Sequence, residues 1–303
     1  MNAAFYRLAV ITIDGERTAV AEKGGRLVPL HRLLEGTTGN GALHDLGPLL
    51  EDWPAWRERL DTAIDSRSAL FDTAGIDGAA ATFALPFAHP GNLICIGANY
   101  HDHVAEMPVP MTPSYPYGFL KPVRNTLRGT GEPVVAPRHV QMMDWEAELG
   151  AVIGSECKNV PLEAALDTVA GYVNFNDLSA RDWIASRPGV GIDWLIHKGH
   201  DGFAPVGPYF VPARFIPDPQ DLPIRLTVNG AVKQQSTTGQ MIFGVAEIIA
   251  HLTTVMTLYP GDIIATGTPA GVGHGRKPPE YLHAGDEVRM EIGPLGTLVT
   301  PII

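Results

Sequence analysis

The chain opens with short apolar runs separated by polar turns. Leu8-Ala9-Val10-Ile11-Thr12-Ile13 and Thr18-Ala19-Val20-Ala21 flank Asp14-Gly15, and Gly24-Gly25 follows. Two β-forming runs around Asp-Gly predict a hairpin, since its turn needs positive φ at both central residues, and the glycine pair predicts a second turn. The apolar spacing becomes helical over 46–60 and 57–69, and a small-residue stretch over 73–84 leads to Pro86. This pattern predicts a small N-terminal α+β domain at 1–85 and a larger domain at 86–303.

The larger part reads as mainly β. Leu93-Ile94-Cys95-Ile96-Gly97 has the continuous apolar character of a buried strand, and Asn99 to Glu106 reads as a turn and short helix. Residues 107–118 hold Pro108, Pro110, Pro113, Pro116 and Gly118, which exclude a regular element and predict a loop able to serve as a lid. Gly171 to Asn176 predicts a strand, Asn229-Gly230 a hairpin turn, 245–258 a helix and Gly261 to Thr266 another strand. Gly267-Thr268-Pro269-Ala270-Gly271-Val272-Gly273 follows, a turn whose amides can converge on a carboxylate. It lacks both nucleotide-binding glycine signatures.

Trp145-Glu146-Ala147-Glu148-Leu149-Gly150-Ala151-Val152-Ile153 is the most informative stretch. Strand alternation puts Glu146 and Glu148 on one face and Ala147, Leu149 and Ala151 on the other. Two like charges in front of an apolar run need a cation between them if buried, whereas an exposed edge strand would simply solvate them. Three further positions have two readings each. His103 and Glu106, three apart, are an oriented imidazole or a surface pair. Asp177 is a metal ligand or the N-cap of a helix starting at Leu178. Lys198, between apolar runs, points inward or into solvent.

The charge balance is 22 basic against 33 acidic residues, a net charge of −11, which argues against a nucleic-acid partner and leaves room for an anionic small substrate. Cys95 and Cys157 are the only cysteines, too few for a disulfide framework or a zinc site. Residues 1–17 lack the form of a signal peptide and no run is long enough for a membrane helix, so a cytoplasmic protein without a membrane partner is expected.

Taken in order, several blocks resemble the fumarylacetoacetate hydrolase family: Gly97-Ala98-Asn99-Tyr100 with His103 and Glu106, Phe119-Leu120-Lys121-Pro122, Glu146-Ala147-Glu148-Leu149, Asn176 through Asp182, and Thr266 through Gly273. The resemblance runs from Ile94 to the C-terminus. It implies an α+β, mainly β fold, a mixed β-sandwich roll with a small N-terminal domain, usually as a homodimer. It implies metal ligands at Glu146, Glu148 and Asp177, an oxygen set suited to Mg²⁺, with Mn²⁺ or Ca²⁺ as alternatives. It implies a water-activating dyad of His103 and Glu106, an active-site lysine at Lys198, and substrate-binding positions at Thr268, Gly267, Arg181, Lys121 and Tyr100. Three positions depart from the family pattern: Ile184 where members often carry Gln, Gly199-His200 after Lys198 where Ser-Phe is usual, and Ala98 where some acylpyruvases carry Arg.

The chemistry implied is metal-dependent hydrolysis of a carbon–carbon bond in a small 2,4-dioxo acid, an acylpyruvate or a fumarylpyruvate-like compound. His103 would take a proton from water, and the adduct would expel a pyruvate enolate stabilised by the metal and Lys198. Two alternatives stand beside it. One is tautomerisation or isomerisation of a 2-hydroxy-dienoate, or oxaloacetate decarboxylation, at the same metal. The other is a non-catalytic cation or ligand site, which would have no use for a base.

Overall fold

The computed structural model describes residues 4–35, 43–107, 110–185 and 191–303. Its N-terminal strands follow the alternation of the sequence. β1 (Arg7–Ile13) and β2 (Glu16–Lys23) form a hairpin closed by Asp14 at φ 51° and Gly15 at φ 84°, and β3 (Arg26–Pro29) follows the Gly24-Gly25 turn. Helix α1 (Trp53–Ser66) has Pro54 in its first turn and buries Trp53, Leu60, Ala63 and Ile64. β4 (Leu93–Gly97) leads into the short helix α2 (His101–Glu106), and β5 (Tyr117–Lys121) starts inside the segment expected to be loop. Pro108 and its neighbour at 109 lie outside the described residues.

Two long central strands, β6 (Ala147–Ile153) and β7 (Val169–Asn176), are buried along their whole length. The remaining elements that matter here are α3 (Trp194–Lys198), β8 (Tyr209–Pro212), β9 (Pro223–Val228), β10 (Ala231–Thr237), α4 (Val245–Val255), β11 (Ile263–Ala265), β12 (Glu287–Ile292) and β13 (Thr297–Pro301). Asn229 at φ 50° and Gly230 at φ 80° make the expected turn between β9 and β10.

Among the described residues, the strands form an 11-stranded sheet in which β3, β2, β1, β8, β7, β6, β11, β4 and β5 are successive neighbours, and a four-stranded sheet in the order β10, β9, β12, β13. The β11–β4 pair is parallel and its neighbours antiparallel. Alternation along β6 divides two cores. Ala147, Leu149, Ala151 and Ile153 pack with the four-stranded sheet and with Val245, Ile248, Ile249 and Leu252 of α4. Val152 packs on the opposite side with the N-terminal strands and α1.

The N-terminal segment is therefore joined to the rest twice over. β1 pairs with β8, and Tyr6, Leu8, Trp53 and Leu60 share a core with Leu93, Val152, Val173 and Phe210. The expected division at residue 85 marks a change in chain path without a break in the sheet or the core. No helix among the described residues is long and apolar enough to cross a membrane.

Candidate metal centre and active site

Strand register builds the site. β6 and β7 are antiparallel with Ala147 opposite Asn176, so the residue entering β6 lies beside the residue leaving β7. Those residues are Glu146 and Asp177, and the Asp177 N–H donates to the Glu146 carbonyl at 2.9 Å. On the other flank of β6, Gly150 pairs with Ala265, which brings Gly267 to Glu148; its N–H donates to Glu148 Oε2 at 2.8 Å. Oxygens from Glu146, Glu148 and Asp177 lie within 4.8 Å of one another, and all three residues are buried. The Glu-x-Glu face is thus buried on a central strand instead of solvated on an edge. No helix begins after Asp177, since Ser179–Ala180 is extended and the next helix starts at Asp182. The N-cap alternative is excluded by this geometry.

Three cations serve these carboxylates. Lys198, at the end of α3, donates to Glu146 Oε2 at 2.7 Å and Asp177 Oδ2 at 2.6 Å. α3 is started by Asp193, whose side chain accepts from the Leu195 and Ile196 amides, and the lysine that sequence left between solvent and interior is buried. Arg181 bridges Glu146 at 2.5 Å and Asp144 at 2.8 Å. Lys121 donates to Asp177 Oδ1, to the Leu178 carbonyl at 3.1 Å and to the Phe203 carbonyl at 2.6 Å. All three ammonium hydrogens of Lys121 are committed, so its side chain fixes the Asp177 carboxylate and has none left for a further partner.

The carboxylates differ sharply in proton affinity. Burial works to raise Glu146, yet Lys198 and Arg181 hold it well below the ordinary carboxylate range. Glu148 goes the other way: burial, then the charges of Asp177 and Glu146, push it well above that range. Glu148 accepts one amide and pairs with no lysine or arginine within 4 Å among the described residues. A buried carboxylate without a cation, facing two others, is the environment a hard divalent ion satisfies, so the donor set fits such an ion. Burial is also the first influence on Lys198, but Asp177 and Glu146 overcome it and raise its affinity for the proton, keeping it an ammonium.

His103 and Glu106 form the second part of the site. On α2, His103 Nδ1 lies 2.7 Å from Glu106 Oε1, and Glu106 Oε2 accepts from the Gly271 amide at 2.9 Å. His103 is buried and Glu106 largely so, and the pair is buttressed, unlike a loose surface contact. The second oxygen of Glu106 being occupied by an amide leaves the first to receive Nδ1–H, which directs the imidazole's other nitrogen outward as an acceptor. His103, Glu146, Glu148, Asp177, Arg181, Lys198 and Thr268 all line one cavity of about 220 Å³.

Other expected positions fall elsewhere. Tyr100 is fully buried in the core beneath the four-stranded sheet and has no surface in the cavity, as Lys121 has none. Thr268 reaches the cavity, but its hydroxyl donates to the Ala147 carbonyl at 3.0 Å and accepts from Gln234 at 2.8 Å. The glycine-rich turn does gather carboxylates, and they belong to the protein: Gly267 binds Glu148, Gly271 binds Glu106, and Gly273 with His274 bind Asp144. Asp144 went unread in the sequence although it sits two residues before Glu146, on the same alternation. His197, also unread, lines the cavity and is held neutral; burial, then Lys198 and Arg181, bring it down to about 2.

A strand-rich roll with a buried carboxylate cluster at one end of its central strands defines a class of metal-dependent enzymes that process small organic acids. The chain belongs to the fumarylacetoacetate hydrolase family: residues 92–303 match the family described as Fumarylacetoacetate (FAA) hydrolase C-terminal. It is 43% identical over 242 residues to the mitochondrial oxaloacetate tautomerase of Xenopus laevis, covering 80% of this chain and 73% of that protein. It is 44% identical over 216 residues to the 2,4-didehydro-3-deoxy-L-rhamnonate hydrolase of a Sphingomonas species, covering 71% and 74%. The crystal structure of maleylpyruvate hydrolase from a Sphingobium species, in complex with manganese(II) and pyruvate, superposes with a TM-score of 0.76 at 27% identity over 98% of each chain.

Proposed function

We propose that the protein hydrolyses a carbon–carbon bond in a 2,4-dioxo acid. The observation that carries this reading is that His103, held by Glu106, lines the same cavity as the three carboxylates. Enolisation alone needs a cation and a modest proton relay; a fixed, oriented acceptor imidazole is the part that activating water requires. Glu146, Glu148 and Asp177 would hold the divalent ion, which supplies positive charge for the substrate's 2-oxo acid end and for the enolate that develops there. The maleylpyruvate hydrolase structure in complex with manganese(II) and pyruvate supports both the ion and the leaving group.

In this reading His103 removes a proton from water as the oxygen bonds to the distal carbonyl carbon. The adduct's oxygen re-forms its carbonyl and the bond to the adjacent carbon breaks, its electron pair leaving as the enolate of pyruvate. The other product is the carboxylic acid of the acyl group, and protonating the enolate gives pyruvate. Lys198, an ammonium between Glu146 and Asp177, keeps the ligands in place and lowers the energy of the developing anion.

A second reading is favoured by the relatives named oxaloacetate tautomerase and by Ile184, which lines the cavity with a side chain unable to hydrogen-bond water. Purified, metal-loaded protein given an acylpyruvate should lose the enol absorbance and release pyruvate and the carboxylic acid in equal amounts. Interconversion of the keto and enol forms of oxaloacetate, with no fragment from any 2,4-dioxo acid, would overturn hydrolysis in favour of tautomerisation.

A further inference from the structure

Strand β10 holds both halves of the site from the second sheet. Among the described residues it pairs with β9 alone, and its register shifts once. Gln234 lies opposite Leu226 and Val232 opposite Thr227, which leaves Lys233 as the extra residue of a β-bulge. Neighbouring residues of β9 point to opposite faces, so their partners do as well. The bulge thereby turns Gln234 away from the face of the exposed Val232 and onto the face of Leu226 and Ile224, which belong to the core. Ser236, opposite Ile224, shares that face.

Gln234 is buried and its whole amide is engaged. Its Oε1 accepts from the Ala147 N–H at 3.0 Å, and its Nε2 donates to the Pro269 carbonyl at 2.9 Å and to Thr268 Oγ1 at 2.8 Å. A backbone N–H can only donate and a carbonyl only accept, so these partners fix which way the amide points. Thr268 therefore directs its own hydrogen to the Ala147 carbonyl at 3.0 Å. Ala147 stands between Glu146 and Glu148, and β11, which pairs with Gly150, Ala151 and Val152, stops short of it. The side chains of Gln234 and Thr268 complete the ladder there, and turning either away would leave a buried backbone group unpaired.

Ser236 serves the other half. Its hydroxyl donates to Asp102 Oδ2 at 2.6 Å, and Asp102 Oδ1 accepts the His103 N–H at 2.8 Å in the first turn of α2. Residues two apart on a strand are spaced by about 6.5 Å. One such step of β10 separates the hold on the carboxylate strand from the hold on the histidine helix.

We propose that Gln234 and Ser236 are positioning residues, Gln234 for the candidate metal ligands Glu146 and Glu148 and Ser236 for His103, and that the bulge at Lys233 brings Gln234 to the site. The Ser236 half rests on the hydrolysis proposed above. The Gln234 half rests on the carboxylate cluster alone.

The test uses the full chain loaded with Mn²⁺, read by electron paramagnetic resonance, metal titration and steady-state kinetics on an acylpyruvate. Gln234→Met keeps the side chain's length and removes its hydrogen bonds. It should change the Mn²⁺ spectrum and weaken metal binding by about tenfold, the effect of losing a group that orients ligands. Ser236→Ala should keep the wild-type spectrum and metal affinity and lower kcat by about tenfold at constant KM, a part of what a well-placed base contributes. Ser236→Thr, which retains a hydroxyl, should restore kcat. A wild-type spectrum and affinity in Gln234→Met would overturn the first half, and an unchanged kcat in Ser236→Ala the second. Should Gln234→Met fail to fold, hydrogen exchange in the wild type decides: an Ala147 amide as protected as those of β6 paired with β11 upholds its hold by Gln234, and one exchanging like an exposed turn amide overturns it. If the wild type cleaves no 2,4-dioxo acid, hydrolysis is removed and the Ser236 half with it, while the Mn²⁺ spectrum still decides the Gln234 half.

Discussion

At the scale of single residues, the proposed hydrolysis divides the site into groups that hold charge and one group that moves a proton. His103 is the latter, and His103→Ala should reduce hydrolytic turnover by about 10²–10⁴ with metal affinity unchanged, measured by steady-state kinetics and metal titration. Unchanged hydrolysis in that variant would remove His103 from the chemistry. Asp144 is a holder: it is fully buried and accepts from Arg181, Gly273 and His274. Asp144→Asn keeps the shape but gives up the charge opposing Arg181, so the guanidinium should draw more strongly on Glu146 and weaken the metal. Calorimetric metal affinity should fall by about tenfold, the effect of altering a partner of a ligand. Glu148→Ala should abolish metal binding. These residues differ in how visible they were before the structure. Glu146, Glu148 and Asp177 stood out as carboxylates at strand positions, whereas Asp144 lay one alternation step earlier and was passed over. Lys121 and Tyr100 were expected to touch substrate because they sit in blocks that resemble the family; the structure buries both behind the cavity wall.

At the scale of elements, the turn at 267–273 ties the two halves of the site together. Its amides hold Glu148 of the carboxylate cluster and Glu106 beside His103, so the candidate metal ligands and the proposed base share one piece of backbone. Gly271 has φ 100°, and a Cβ there would come within 2.2 Å of the Lys233 carbonyl. Gly271→Ala should therefore shift the turn, release Glu106 and lower hydrolysis by about an order of magnitude or more, while enolisation of a 2-oxo acid, followed by deuterium incorporation, falls much less. Equal losses in both reactions would mean the turn supports the metal ligands alone. Sequence made the turn's flexibility plain but not its occupant, because which carboxylates reach it depends on the β6–β11 register and on where α2 packs. The hairpins at Asp14-Gly15 and Asn229-Gly230 were legible because their determinants are local. The 11-stranded sheet joining residues from both sides of position 85 was not, since pairing β1 with β8 spans some two hundred residues and leaves no local signature.

At the scale of the whole molecule, the buried carboxylate network makes stability depend on pH, and a divalent ion held there would change that dependence. In metal-free protein Glu148 binds its proton more tightly when folded than when unfolded, where its value is about 4.3. Between the unfolded and the raised folded value the folded state carries more protons. Stability therefore falls as pH rises across that window and stays lower above it. Glu146, held below its ordinary value, contributes in the opposite sense, but its contribution is already complete above the unfolded value. Near neutrality the Glu148 penalty remains, and a bound divalent ion removes it by favouring the ionised carboxylate. Thermal melts with excess Mg²⁺ or Mn²⁺ and with chelator should consequently diverge as pH rises from about 4.5 toward 8, the loaded protein being the more stable. At a hundredfold excess over the dissociation constant the stabilisation is about 2.7 kcal/mol. Below the raised folded value, metal binding should also expel a proton, measurable by calorimetry in buffers of different ionisation enthalpy. Glu148→Gln has no proton to release and should lose both the proton signal and the fall in stability of the chelated protein with pH. Melts that stay parallel across this range, or a proton release that survives Glu148→Gln, would show that another group carries the linkage.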